Sequence, residues 1–223
     1  MKYHSENGQV PETKRKLVEA GVRLMREKGY NATTVDDICH AAGVTKGAYF
    51  HYFDSKEDIA KAALQEFSQG RSEELVNAPF RKLADPLDRI YGRLDFVESA
   101  VGGSSRVTKG CLIGMLAQEL SFTSPELRSL CNDAFLRIAR ELEHDLEEAK
   151  AVHTPVFPFE AKNVAMFYVS IFQGSSMMAK ASASNAVLID GIEQFRHYLD
   201  ILFGQTRSGA SKGISEVLTE VDA

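Results

Sequence analysis

Two groups of side chains in this 223-residue chain have the types and spacing to do chemistry. The first lies between Thr34 and Lys56. It holds two threonines (Thr34, Thr45), two lysines (Lys46, Lys56), a glycine (Gly47) and three rings with a polar atom (Tyr49, His51, Tyr52). Hydroxyl and ammonium groups suit phosphate oxygens, and a long cation also reaches guanine N7 and O6. Gly47 admits close approach of a backbone. The second group is Thr108-Lys109-Gly110-Cys111-Leu112-Ile113-Gly114-Met115-Leu116-Ala117-Gln118-Glu119-Leu120, a thiol and a carboxylate among small and apolar residues. A thiol near a helix start, with Lys109 beside it, is a candidate nucleophile; it is equally a small buried residue.

The first group needs a frame, and the sequence supplies one. Thr33 or Thr34 can cap a helix, with Asp36 or Asp37 three residues on completing a capping box. Val35, Ile38 and Ala42 then share a face at helical spacing. Gly43 stands where that helix stops and reverses, a left-handed backbone position that penalises any side chain. A second helix, about 46–53, is expected to turn Thr45, Lys46, Tyr49, His51 and Tyr52 outward and Phe53 toward the core, with Phe50 open between core packing and the DNA side. Ser55, with Asp58 three residues on, caps a third. Two short helices about a glycine turn form a helix-turn-helix, whose second helix enters the DNA major groove.

The same residues resemble the N-terminal domain of the TetR/AcrR family of bacterial transcriptional regulators. The shared pattern is the Thr-rich cap, the acidic pair, Ala41-Ala42-Gly43-Val44-Thr45-Lys46-Gly47, the aromatic cluster around His51, and Ser55-Lys56-Glu57. The likeness runs from Thr13 to about Leu64. It implies a homodimer that binds a palindromic operator in double-stranded DNA and represses until a small-molecule effector releases it. It also implies phosphate contacts for His51, Tyr52 and Lys56. The family often has tyrosine where this chain has Phe50 and an aliphatic residue where it has Tyr49, so which aromatic touches DNA stays open.

Charge alone would not suggest such a function. Residues 1–60 carry nine basic and nine acidic side chains, and residues 61–223 carry 17 and 22. A basic domain is the usual electrostatic footprint of a DNA binder. Here attraction must come from a few placed cations: Lys14, Arg15 and Lys16 at the first helix start, Lys46, and Lys56.

The remaining chain reads as helix throughout, giving an all-α expectation of about nine helices. The first spans about 12–28, stopped by Gly29. The helix from Ser55 runs to about 77, another from Asp85-Pro86 to about 100, and Gly102-Gly103-Ser104-Ser105 forms a loop. Helices at about 109–122 and 124–150 follow, the second carrying an acidic run (Glu141, Glu143, Asp145, Glu147, Glu148) expected to be a solvated face. A loop at 153–158 precedes helices at about 160–181 and 187–203. These last two are apolar on more than one face, which suits a four-helix interface between two copies, or else a wholly internal core. The domain expectation is a head at 1–57, an effector-binding and dimerisation body at 58–204, and a frayed tail at 205–223.

In the body, the pattern G-C-L-x-G-x-L-x-x-E around Cys111 is similar to a ligand-domain helix in a TetR subgroup that includes sensors of electrophiles and unsaturated carbonyl compounds. The likeness implies that Cys111 can be the reactive group. The alternative is a non-covalent pocket lined by Met115, Phe122, Tyr168, Phe172 and Met177, with Glu119 orienting a cationic or hydrogen-bonding ligand. The expected class is not an enzyme. The chain has no phosphate-cradling glycine loop, nucleophile elbow or H-E-x-x-H, and Cys39-His40 lacks a second pair for a metal, so neither cofactor nor metal is expected. Three cysteines, no signal-like start and no membrane-length apolar run point to the cytoplasm. A helical interaction protein that kept the helix-turn-helix without operator binding is the competing class.

Overall fold

The computed structural model describes residues 10–102 and 109–205. Most of the expected glycine-serine loop, Thr108 and the tail beyond residue 205 lie outside these. Among the described residues the chain forms nine α-helices: α1 Glu12–Lys28, α2 Val35–Ala42, α3 Lys46–Tyr52, α4 Lys56–Val76, α5 Pro86–Gly102, α6 Leu112–Leu120, α7 Pro125–Val152, α8 Ala161–Ser182 and α9 Ala186–Phe203. A short 3-10 turn, Pro79–Lys82, links α4 to α5.

Most boundaries follow from caps visible in the sequence. Thr34, Thr45, Ser55 and Ser124 each accept a backbone N–H three residues on, at the starts of α2, α3, α4 and α7. Proline enters the first turns of α5 and α7, where its missing N–H costs nothing. Gly43 closes α2 at φ 67°, ψ 35°, the left-handed conformation expected of it. One boundary differs from expectation. α6 begins at Leu112 rather than near residue 109, because Gly110 takes φ +83° and Cys111 is extended, so the thiol sits on the N-cap residue.

Two apolar cores hold the helices. One gathers Leu17 and Met25 of α1, Ile38 of α2, Tyr49 of α3 and Ile59 of α4 together with Leu112 and Leu116 of α6 and Leu127 of α7. The other joins α5, the second half of α7, α8 and α9 around Leu94, Leu142, Leu146, Tyr168 and Phe195. Helix α6 thus packs its apolar side against the head. The 21-residue α4, about 30 Å long at 1.5 Å per residue, begins in the first core and ends with Leu75 in the second.

The acidic run of α7 corrects an expectation. Asp145 is 1% exposed and Glu141 20% exposed, so this side is not a solvated face. Both carboxylates meet arginines from the 3-10 turn and α5, which offset the cost of taking a charge out of water.

Candidate nucleic-acid interface and ligand cavity

The α2–α3 unit is held by its own polar side chains. Thr34 Oγ1 accepts from Asp37 N at 3.1 Å, and Asp37 Oδ2 accepts from Thr34 N at 2.9 Å, closing the capping box. Thr34 Oγ1 also donates to Asp37 Oδ2 at 2.7 Å, and Lys28 Nζ donates to the same oxygen at 2.7 Å. The Lys28 bond, with those from Thr34, holds the Asp37 carboxyl far below the usual carboxylate range. Thr45 Oγ1 accepts from Ala48 N at 3.2 Å, which leaves its proton free to point outward.

Helix α3 presents Lys46, Gly47, Phe50 and His51 to solvent. Lys46 Nζ lies 2.7 Å from Asp36 Oδ1, with both side chains more than half exposed. A pair so screened by water exchanges readily for a phosphate. His51 and Tyr52 meet edge to face with ring centroids 4.8 Å apart.

Tyr49, expected on the outside, is fully buried, and its hydroxyl donates to the Ser55 carbonyl at 2.9 Å. Tyr49 and Phe53 lie four residues apart and so share the core face, which turns Phe50 outward at 53% exposure. Phe50, left open by the sequence, thus lies on the surface, and the core expectation for Phe53 holds. Lys56 is half-buried: its Nζ donates to the Tyr30 carbonyl at 3.0 Å and stands 4.1 Å over the Tyr30 ring.

The body contains a cavity of about 710 Å³ between α4, α5, α7, α8 and the start of α6. Of the candidate effector residues, Cys111, Tyr168 and Phe172 line it. Cys111 Sγ accepts from Gln173 Nε2 at 3.5 Å. Met115, Glu119 and Phe122 do not line it. Only the first turn of α6 reaches the cavity, and a residue eight positions along lies about 12 Å farther down the axis. Met115 instead lies against Lys180, its sulfur 3.5 Å from Nζ. Phe122, in the turn after α6, is 99% exposed, and Met177 is 57% exposed. Glu119 accepts from Tyr30 N at 3.1 Å and Asn31 N at 2.8 Å, so it ties the far end of α6 to the turn between α1 and α2.

Sequence reasoning missed the charged wall of this cavity. Arg93 is 1% exposed, and its Nη2 lies 3.2 Å from Glu141 Oε2. Arg81 reaches Glu141 and Asp145, while Arg89 reaches Asp145 and Glu148. Burial and the neighbouring Arg93 guanidinium together pull Arg81 below its ordinary pKa. A signal was present: Ile90, Arg93 and Val97 share one α5 face at helical spacing, and an arginine on an apolar stripe calls for a buried partner.

The chain matches two family models. "Bacterial regulatory proteins, tetR family" covers residues 17–63, and "Transcriptional regulator LmrA/YxaF-like, C-terminal domain" covers residues 86–194. Together they span more than two thirds of the chain. The transcriptional regulator AcuR of Cereibacter sphaeroides is 35% identical over 115 residues, 51% of this chain and 51% of that protein. This match therefore spans about half the length of AcuR. The HTH-type transcriptional repressor NemR of Escherichia coli is 24% identical over 184 residues, 82% of this chain and 90% of NemR. A crystal structure of a regulatory protein TetR from Rhodobacter sphaeroides superposes with TM-score 0.75 at 25% identity, covering 84% of this chain and 99% of that one.

Proposed function

From membership of the TetR family of bacterial regulatory proteins, to which this chain belongs, we infer a repressor that grips an operator as a homodimer and lets go when its cavity fills. Transcriptional regulation is the family's function. The observation that carries the finer reading is α4: it starts at Lys56, directly after the exposed face of α3, and its later residues from Phe67 to Leu75 line the cavity. A ligand that moves this wall moves the head attached to it. Two heads must meet major grooves about 34 Å apart, so a shift of a few ångströms suffices to lose the operator. Ligand and DNA then oppose each other reciprocally.

We assign the head to residues 1–57 and the effector and dimerisation body to 58–204. Thr34, Thr45, Lys46, Gly47, His51 and Tyr52 make the DNA-facing set; Phe50 takes the place given to Tyr49. Lys56 has a structural task at Tyr30 and supports the phosphate surface from there. The homodimer reading rests on apolar side chains left on the surface of the last two helices. Phe167, Met177 and Met178 of α8 and Ile201 of α9 are each 45% exposed or more. Light scattering that returns a monomer at micromolar concentration would remove it. Among the described residues no helix is long and apolar enough to cross a membrane; a cytoplasmic, non-enzymatic protein is the reading that suits a regulator.

The position of Cys111 on the cavity wall favours a second form of release. Its thiolate adds to the β-carbon of an unsaturated carbonyl compound, the α-carbon takes up a proton, and the wall is altered covalently. One assay tests the whole reading: fluorescence anisotropy of a duplex from the gene's own upstream DNA, over a salt series, before and after a mild electrophile. Specific binding is expected, with release by the electrophile in the native protein and none in Cys111→Ser. Release that persists in Cys111→Ser removes the thiol but leaves the regulator. Binding no tighter than to random DNA favours the competing helical interaction protein.

A further inference from the structure

The charges around the cavity are unequal, and the excess has a location. Deep in the cluster, Arg81, Arg89 and Arg93 face two well-shielded carboxylates, Glu141 and Asp145; the third partner, Glu148, is 46% exposed. With the half-exposed Glu148 left to solvent, the buried part of the cluster carries a surplus of one positive charge. It falls to Arg93, which shares Glu141 with Arg81 while Asp145 serves the other two. Among the described residues Arg93 Nε has no hydrogen-bond partner although it is buried. A guanidinium carries five donors in a planar fork, and Arg93 has a single ion pair with Glu141 to show for them.

Tyr168 stands in the same wall, 5% exposed, with no hydrogen bond recorded for its hydroxyl among the described residues. Burial pushes its phenol up, while Arg93 and Arg71 lie near enough to draw it back down, so the hydroxyl stays a proton donor beside two cations. Arg71 also lines the cavity and pairs with the exposed Glu74. Counted over the whole wall, four arginines meet three glutamates. Much of the remaining lining is apolar, with Val97, Val101, Ile113, Ile138, Val169 and Phe172, and Ser68, Ser72, Gln173 and Ser176 are its uncharged polar members.

We propose that the cavity takes a ligand with an apolar body and one carboxylate, the carboxylate accepting hydrogen bonds from the Arg93 guanidinium and the Tyr168 hydroxyl. A single negative charge cancels the surplus. The planar fork of arginine matches the two oxygens of a carboxylate. A cationic ligand would add to the excess, contrary to the part that sequence reasoning gave Glu119, which lies outside the cavity. The proposal rests on the cavity being the effector site.

The test is calorimetric titration of the full chain with matched pairs: octanoate against octanol, and 2-naphthoate against 2-naphthamide. Two scaffolds keep shape from deciding the result. In the native protein each acid is expected to bind at least about tenfold tighter than its neutral partner, the scale of one charge-assisted hydrogen bond. Arg93→Met should bring the ratio close to one while leaving the neutral ligands' affinity in place. Glu141 keeps Arg81 in that variant, so the fold is expected to survive, with circular dichroism as the check. If Arg93→Met does not fold, Tyr168→Phe decides, through a loss of severalfold in the acid preference alone.

Equal affinity for acid and neutral partner, failure of both acids to bind, or a preference untouched by the variant that folds would each overturn the proposal. Anisotropy with operator DNA separates the two readings. DNA binding without acid preference removes only this inference, and acid preference without DNA binding removes only the repressor.

Discussion

The α2–α3 surface and the α5–α7 wall both use ion pairs, and the same chemistry has opposite consequences in the two places. On the head, Lys46 and Asp36 pair at 2.7 Å while both remain in water. Each can leave the other at little cost, and this is what a surface that must exchange partners for phosphate requires. In the body, Asp145 pairs with Arg81 at 3.0 Å and Arg89 at 3.2 Å with 1% of its side chain exposed. There water cannot replace a lost partner, so the pairs are fixed and any unpaired donor remains as a demand for a ligand. The proposed functions ask a protein of net charge −5 to meet a polyanion with the head and an anion with the cavity, and both are physically open to it because local arrangement outweighs the sum.

The contrast is broken first at Asp145. Asp145→Ala leaves Arg89 without a shielded carboxylate and Arg81 with Glu141 alone, and a loss of about 3–5 kcal/mol in unfolding free energy is expected by urea denaturation. A loss below about 1 kcal/mol would mean that water reaches the cluster and that the two regions do not differ as described.

Tyr49→Phe lies between the extremes. It removes the hydrogen bond to the Ser55 carbonyl, and a cost near 1 kcal/mol is expected, with operator affinity of the folded protein unchanged. If affinity falls while the unfolding midpoint stays put, Tyr49 belongs to the DNA surface after all. The smallest effect on stability is expected at Lys46. Lys46→Ala should leave the thermal midpoint where it is, weaken DNA binding and lower the salt slope by about one phosphate contact. An unchanged slope with altered sequence preference would instead place Lys46 on a base.

The helices were legible because their punctuation is local. Thr34, Thr45, Ser55, Ser124, Gly43 and Pro125 act on backbone groups within four residues of themselves, and caps of this kind need no tertiary context. The α3 face was misjudged because seven residues give a short stripe. With phenyl or phenol rings at four of the five positions from Tyr49 to its C-cap Phe53 (Tyr49, Phe50, Tyr52, Phe53), the sequence does not say which pair points in. The choice of Tyr49 and Phe53 comes from packing with α1, α2 and α4. The acidic run of α7 was misjudged for a related reason. Alternating charges on a helix look solvated until a second helix brings arginines to them.

Sequence by itself therefore determined the all-helical class, the caps and turn of the helix-turn-helix, the family, and the presence of Cys111 near a helix start. All of these depend on residues close together along the chain. Tertiary structure alone decided that Glu119 binds the α1–α2 turn rather than a ligand, that Phe122 faces solvent, and that Arg93 is buried in the cavity wall with a donor to spare. Those facts depend on groups 48 to 89 positions apart meeting in space, and burial changes the worth of a charge only once the low-dielectric surroundings have been assembled.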